Sequence, residues 1–252
     1  MSLRTSGGLL LGCATEPVGS SIKQAAQTLY RRVIAATHGH AFYRIWNYVP
    51  AINANRDGAE NYHGFCEGRS QAFEAALGAG FKRALPSASA VGCSGSSLAL
   101  VFVAGRSAPQ HLENPEQVPA YDYPREHGPR PPSFSRATLA RVGQQRLLFV
   151  SGTAAIKGHA TIGPGELQPQ LDCTLDNLTL VSRAAGLGAK LAAGGEFQRH
   201  FKVYVRDPRD YAAVRERLER ELIEPGDRAI YLQADICRAA LKVEIEASLI
   251  QR

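Results

Sequence analysis

"YLQADICRAALKVEIEA" (231–247) ends in Lys242-Val243-Glu244-Ile245-Glu246-Ala247, where polar and apolar residues alternate. A period of two marks a β-strand with one buried face. Val243, Ile245 and Ala247 take that face, which leaves Glu244 and Glu246 on the other. Whether that second face meets water or protein decides the architecture.

The stretch belongs to a repeat. An apolar strand, "GGLLLGCATEP" (7–17), precedes a helix with Ser20 or Ser21 as N-cap and Ile22, Ala25, Leu29 and Val33 on one stripe. Next come the strand "FYRIWNYV" (42–49), a helix near 60–77 with Tyr62, Phe65, Phe73 and Leu77 inward, and the strand "SLALVFVAG" (97–105). The second half repeats this order with "RLLFVSGTAAI" (146–156), a helix over 168–185 closed by Gly186, and "HFKVYVR" (200–206). A helix capped by Asp207 follows, with Pro208 at N1 and Tyr211, Val214, Leu218 and Leu222 on one stripe, before the final strand 242–250. The pattern predicts an α+β fold of two tandem β-α-β-α-β units, 1–106 and 145–252. Right-handed crossovers place both helices of a unit on the outer face of its sheet. The bare faces then pack on each other.

Laid without gaps, "SAVGCSGSSLALVFVAG" (89–105) over 231–247 sets Glu244 opposite Phe102 and Glu246 opposite Ala104. A face that carries Phe in one copy is expected to be covered in the other. A covered carboxylate needs a partner or a purpose.

Between the units, 107–140 holds seven prolines in 34 residues, too many for regular structure. The connecting segment 107–144 also mixes Tyr121, Tyr123, Arg125, Arg130, Phe134 and Arg136, which flexible linkers seldom do. Residues 121–136 are expected to be ordered beside the second unit.

Composition narrows the function classes. A formal charge of +6 with 8% aromatics and no basic run favours a small anion over nucleic acid. The five cysteines form no Cys-x-x-Cys pair, which argues against a disulfide framework or zinc site and suits a reducing cytoplasm. His38-Gly39-His40 lacks metal-ligand spacing. No apolar run is long enough to span a bilayer, so no membrane partner is expected.

The second unit resembles the YjgF/RidA superfamily in "FVSGTAAI", "KVYVRDPRDYAAVRERL" and "VEIEA". The whole chain is more similar to the chorismatase family, which carries two such units. The resemblance rests on "RIWNYVPAIN" (44–53), "FCEGRSQAF" (65–73), "PREHGPRPPSFSRAT" (124–138), "VSGTAAIKGH" (150–159) and "ADICRAALKVEIEA" (234–247). It implies a pseudo-trimer-like barrel packing and cleavage of chorismate to pyruvate and a hydroxybenzoate, with no cofactor or metal. It implies Glu244 as general acid. Tyr121, Arg130, Arg136, Thr153 and Arg206 are the implied substrate-binding residues, and Cys237 with Gly152 would steer the product towards 3-hydroxybenzoate. Assembly is expected as a monomer or a homo-oligomer through the sheets. The alternatives are a RidA-like imine deaminase or ribonuclease, disfavoured by Tyr231 where deaminases carry arginine, and a non-catalytic ligand-binding module.

Overall fold

The computed structural model describes residues 1–56 and 58–252. The first unit runs β1 (Ser2–Ser6), β2 (Leu9–Pro17), α1 (Ile22–Ala36), β3 (Ala41–Pro50), a two-residue hairpin β4 (Asn55–Arg56) and β5 (Ala59–Glu60), α2 (Asn61–Leu77), β6 (Ser87–Cys93) and β7 (Ser97–Gly105). The connecting segment contributes β8 (Gln110–Leu112) and β9 (Ala137–Val142). The second unit continues with β10 (Gln145–Thr153), the hairpin β11 (Ile156–Lys157) and β12 (Ala160–Thr161), α3 (Leu167–Ala184), β13 (Phe197–Val205), α4 (Tyr211–Glu221), β14 (Arg228–Gln233) and β15 (Val243–Gln251). The sheets have the orders β1-β2-β7-β3-β6 and β14-β13-β15-β10-β9-β8. Apart from the added edge strand β8, the two orders are the same. The tandem repeat is therefore visible in the topology itself.

Local chemistry explains the helices. Ser21 caps α1 by accepting from Gln24 N at 3.4 Å. Asp207 caps the short 3-10 turn Pro208–Asp210 that leads into α4, and Gly186 leaves α3 at φ +71°. The apolar stripes of α1 and α2 pack on the first sheet, and those of α3 and α4 on the second. At the helix ends the expected stripes overreach: Leu77 and Tyr211 are exposed.

Three expectations need correcting. The first unit opens with an unforeseen exposed strand, β1, and each unit has one more sheet strand, because β6 ("SASAVGC") and β14 ("RAIYLQ") are too polar to read as buried strands. Both pair in parallel with β3 and β13, at one edge of the described pairing. The connecting segment is not wholly irregular: "ATLARV" is free of proline and pairs with β10 as β9. The second sheet thus begins inside that segment.

Phe102 and Ala104 face the helices, as do Val243, Ile245, Ala247 and Leu249 in β15. Glu244 and Glu246 lie on the opposite face, so the gapless alignment is one residue out of phase. It ignored the unequal connections before the two strands, residues 94–96 against 234–242. The covered position was nonetheless the right expectation, because the other sheet covers it.

Between the sheets Tyr43, Val103, Ala140, Leu147 and Phe149 form an apolar layer. Side chains of the second sheet satisfy the free edge of β6. Ser87 N donates to Thr138 Oγ1 and Ala88 N to Ser151 Oγ, each at 2.8 Å. These bonds close the two sheets around a shared interior. Among the described residues no helix is long and apolar enough to cross a membrane.

Candidate active site

The two glutamates of β15 point into that interior and meet opposite fates. Glu246 is clamped by Arg44 of β3, by Trp46 Nε1 donating at 2.6 Å, and by Lys202 Nζ at 3.0 Å. Burial alone would raise its carboxyl, but Arg44 and Lys202 outweigh burial and hold it below the usual carboxylate range. Glu246 is a structural anion. Glu244, two residues earlier, is 3% exposed, and its Oε1 has no hydrogen-bond partner among the described residues. Burial, reinforced by the charge of Glu246 and opposed by Arg44, pushes its carboxyl up to about 8. One strand thus carries an ionised carboxylate and a neutral acid on the same face, separated by environment alone.

Glu244 opens onto a cavity of about 560 Å³, also lined by Gly152, Cys237, Arg238, Arg136, Tyr123 and His127 among others. Arg136 is 7% exposed and donates to Tyr123 Oη at 2.8 Å and Val118 O at 3.1 Å. Its guanidinium stacks over Phe134 and Tyr123, at 5.2 and 5.7 Å from the ring centroids. The proline-stiffened segment therefore presents a braced arginine to the cavity, as its composition suggested.

Gly152 has a role in close approach. A Cβ there would lie 2.1 Å from Glu244 Oε1 and 3.1 Å from Ser89 Cβ. The missing side chain is the space the acid occupies. Gly152→Ala should displace the Glu244 carboxyl while the fold survives. An unmoved carboxyl in the crystal structure of that variant would disprove the packing argument. Cys237 lines the cavity beside Glu244, and burial, followed by the nearby glutamate, pushes its thiol up to about 12. It stays a neutral thiol and shapes the wall.

The other expected residues lie elsewhere. Arg130 pairs with Glu74 of α2, and Tyr121 lies under Lys82, 6.0 Å from its ring centroid. Thr153 turns back to Ser151 O at 2.9 Å. Arg206 donates to the carbonyls of Leu241, Ile236 and Arg238 and pairs with Asp235, so it braces the loop that carries Cys237. None of these four lines the cavity.

Two arginines at the site were not among the expected residues: Arg238, which lines the cavity, and Arg69. Arg69 of α2 is 1% exposed and walls a small recess shared with Glu244, Gly152, Cys237 and Tyr62. Its Nε has no partner, Cys66 Sγ lies 3.9 Å from Nη2, and no carboxylate pairs with it among the described residues. A buried guanidinium without an anion is costly unless a ligand supplies one. The signal was present: Arg69 interrupts the stripe Tyr62, Phe65, Phe73 at helical spacing.

Residues 1–104 match the family model described as chorismatase FkbO/Hyg5-like, N-terminal. The chain is 42% identical over 213 residues to a 3-hydroxybenzoate synthase of Streptomyces hygroscopicus, covering 81% of this chain and 62% of that protein. It is 38% identical over 252 residues to a chorismatase of Streptomyces rapamycinicus, covering 94% of this chain and 73% of that relative. A chorismatase crystal structure superposes with a TM-score of 0.89 at 33% identity, covering 98% of this chain and 76% of that one.

Proposed function

Because this chain belongs to the chorismatase family, we propose that it cleaves chorismate to pyruvate and a hydroxybenzoate, with Glu244 as the general acid. One observation carries the reading: a buried, neutral carboxyl with a free oxygen faces a cavity walled by arginines. The enol-pyruvyl ether of chorismate must gain a proton on its methylene carbon before the C–O bond yields. That proton has to come from an acid that still holds it near neutral pH. Glu244 meets this requirement.

Chorismate carries two carboxylates. Arg136 at the cavity wall and Arg69 in the recess are the two guanidiniums best placed to receive them, since a planar fork binds a carboxylate through two parallel hydrogen bonds. Arg238, on the wall above Tyr123, adds positive potential. Pyruvate and hydroxybenzoate together contain all the atoms of chorismate, so this outcome needs no net water. A dihydroxycyclohexadiene carboxylate would consume one water molecule. The 42% identity to a 3-hydroxybenzoate synthase supports the first outcome, and Cys237 is the wall residue beside Glu244. Cys237→Ala should therefore change the product ratio more than the rate of chorismate loss, as chromatography of the aromatic products will show.

The deciding experiment incubates the protein with chorismate, assays pyruvate and identifies the second product. Stoichiometric pyruvate with 3-hydroxybenzoate is the expected result. Chorismate bound but unchanged would leave a ligand-binding module instead.

A further inference from the structure

The mouth of the cavity carries a second cluster, which the proposed reaction does not use. Glu126 and His127 lie in the connecting segment, and His159 lies between β11 and β12. His127 Nε2 and His159 Nδ1 are 3.0 Å apart. Glu126 Oε1 is 3.2 Å from His159 Nδ1 and 3.4 Å from His127 Nε2. His127 lines the cavity, while Glu126 is exposed to solvent.

We propose that Glu126, His127 and His159 form a site for one divalent transition-metal ion, which ties the connecting segment to the β11–β12 hairpin across the cavity rim. Ligand atoms about 2.1 Å from a common metal, at angles between octahedral and tetrahedral, stand roughly 3.0–3.4 Å apart. All three observed separations fall in that interval, so the donors already form one triangular face of a coordination sphere. Two imidazole nitrogens and a carboxylate suit zinc, cobalt or nickel rather than magnesium or calcium, which prefer all-oxygen sites. The surroundings hold the donors in place. Tyr123 packs on both imidazoles, at 5.3 and 6.4 Å between centroids, and Arg238 Nη1 donates to His159 O at 2.9 Å. The Arg238 charge opposes a cation, and Glu126 offsets it. Tyr123 and Arg238 also line the cavity. An ion that fixes their neighbours would therefore restrict passage of substrate.

The test titrates the untagged protein with Co²⁺ and follows visible absorption. One Co²⁺ per chain should bind, giving d–d bands without the near-ultraviolet thiolate band that a cysteine ligand would add. His159→Ala and Glu126→Gln, which leave the cavity lining intact, should each weaken binding by at least about tenfold. No binding, a thiolate band, or wild-type affinity in both variants would overturn the site. A second arm measures initial pyruvate release and rests on the proposed reaction. Co²⁺ should slow the wild-type protein and leave His159→Ala unaffected. Binding with no effect on wild-type turnover, or with equal inhibition of both proteins, would overturn the bridge across the rim. The spectrum is read without substrate, so failure of the reaction and failure of the site remain distinguishable.

Discussion

Glu244→Gln should lower turnover by a factor of about 10² to 10⁴ with chorismate affinity retained, the usual cost of losing general acid catalysis. Glutamine keeps the shape and a hydrogen-bond donor but has no proton to transfer to carbon. The pH profile provides a separate check. The acid must be protonated, so kcat/KM should be level below about 8 and fall tenfold per unit above it. In the bound complex the dianionic substrate disfavours ionisation of Glu244 further, so the limb in kcat should lie at higher pH than the limb in kcat/KM. Stability should report the same group. The folded carboxyl gives up its proton near 8, and the unfolded chain gives up the same proton near 4.5. Between those values the folded state binds more protons, so stability falls as pH rises through that window. Glu244→Gln removes this penalty, and its melting temperature should exceed the wild-type value by more at pH 8 than at pH 5. A variant with near wild-type turnover would reduce Glu244 to a buried strand residue.

The covered position of Glu244 was legible because a strand with period two puts its charges on one face, and a repeated unit implies a partner for that face. The phase between the repeats was not legible, since the connections before β7 and β15 differ in length and only the packing shows it. Arg136 could be read from a segment that mixed arginine, aromatics and proline. Arg130, in the same segment, could not be distinguished from it, because the partner that draws it away is Glu74 on a helix of the first unit. Arg206 illustrates the opposite limit. It lies at the end of a strand in a matching motif, yet its donors are used by the backbone of the adjoining loop. Sequence shows which side chains carry charge. Which charges lack a partner is a property of the fold.

That distinction makes Arg69 the sharper test of the site. Arg69→Met keeps most of the volume and removes the charge. If the guanidinium waits for a substrate carboxylate, its loss should cost about 2–5 kcal/mol of transition-state binding, a fall in kcat/KM of roughly 30-fold to several thousand-fold. The free protein should respond in the opposite direction. Arg69 is fully buried over the Phe65 ring, 4.9 Å from its centroid, with no carboxylate partner among the described residues. Replacing a buried ion pair or triad with apolar side chains of similar volume is often neutral or stabilising, by about 1–4 kcal/mol, and a lone buried charge has no partner to offset its desolvation. Thermal melting and steady-state kinetics on the same variant should therefore move apart, with higher stability and lower activity. A structural arginine predicts the reverse, with the melting temperature falling and the activity of the folded fraction preserved. Arg69→Lys separates charge from geometry: a single ammonium retains attraction for the dianion but lacks the planar fork. It should recover part of the lost kcat/KM and none of the gained stability. If methionine left kcat/KM unchanged, the recess beside Glu244 would not hold a substrate carboxylate, and the orientation of chorismate against the acid would rest on Arg136 and Arg238 alone.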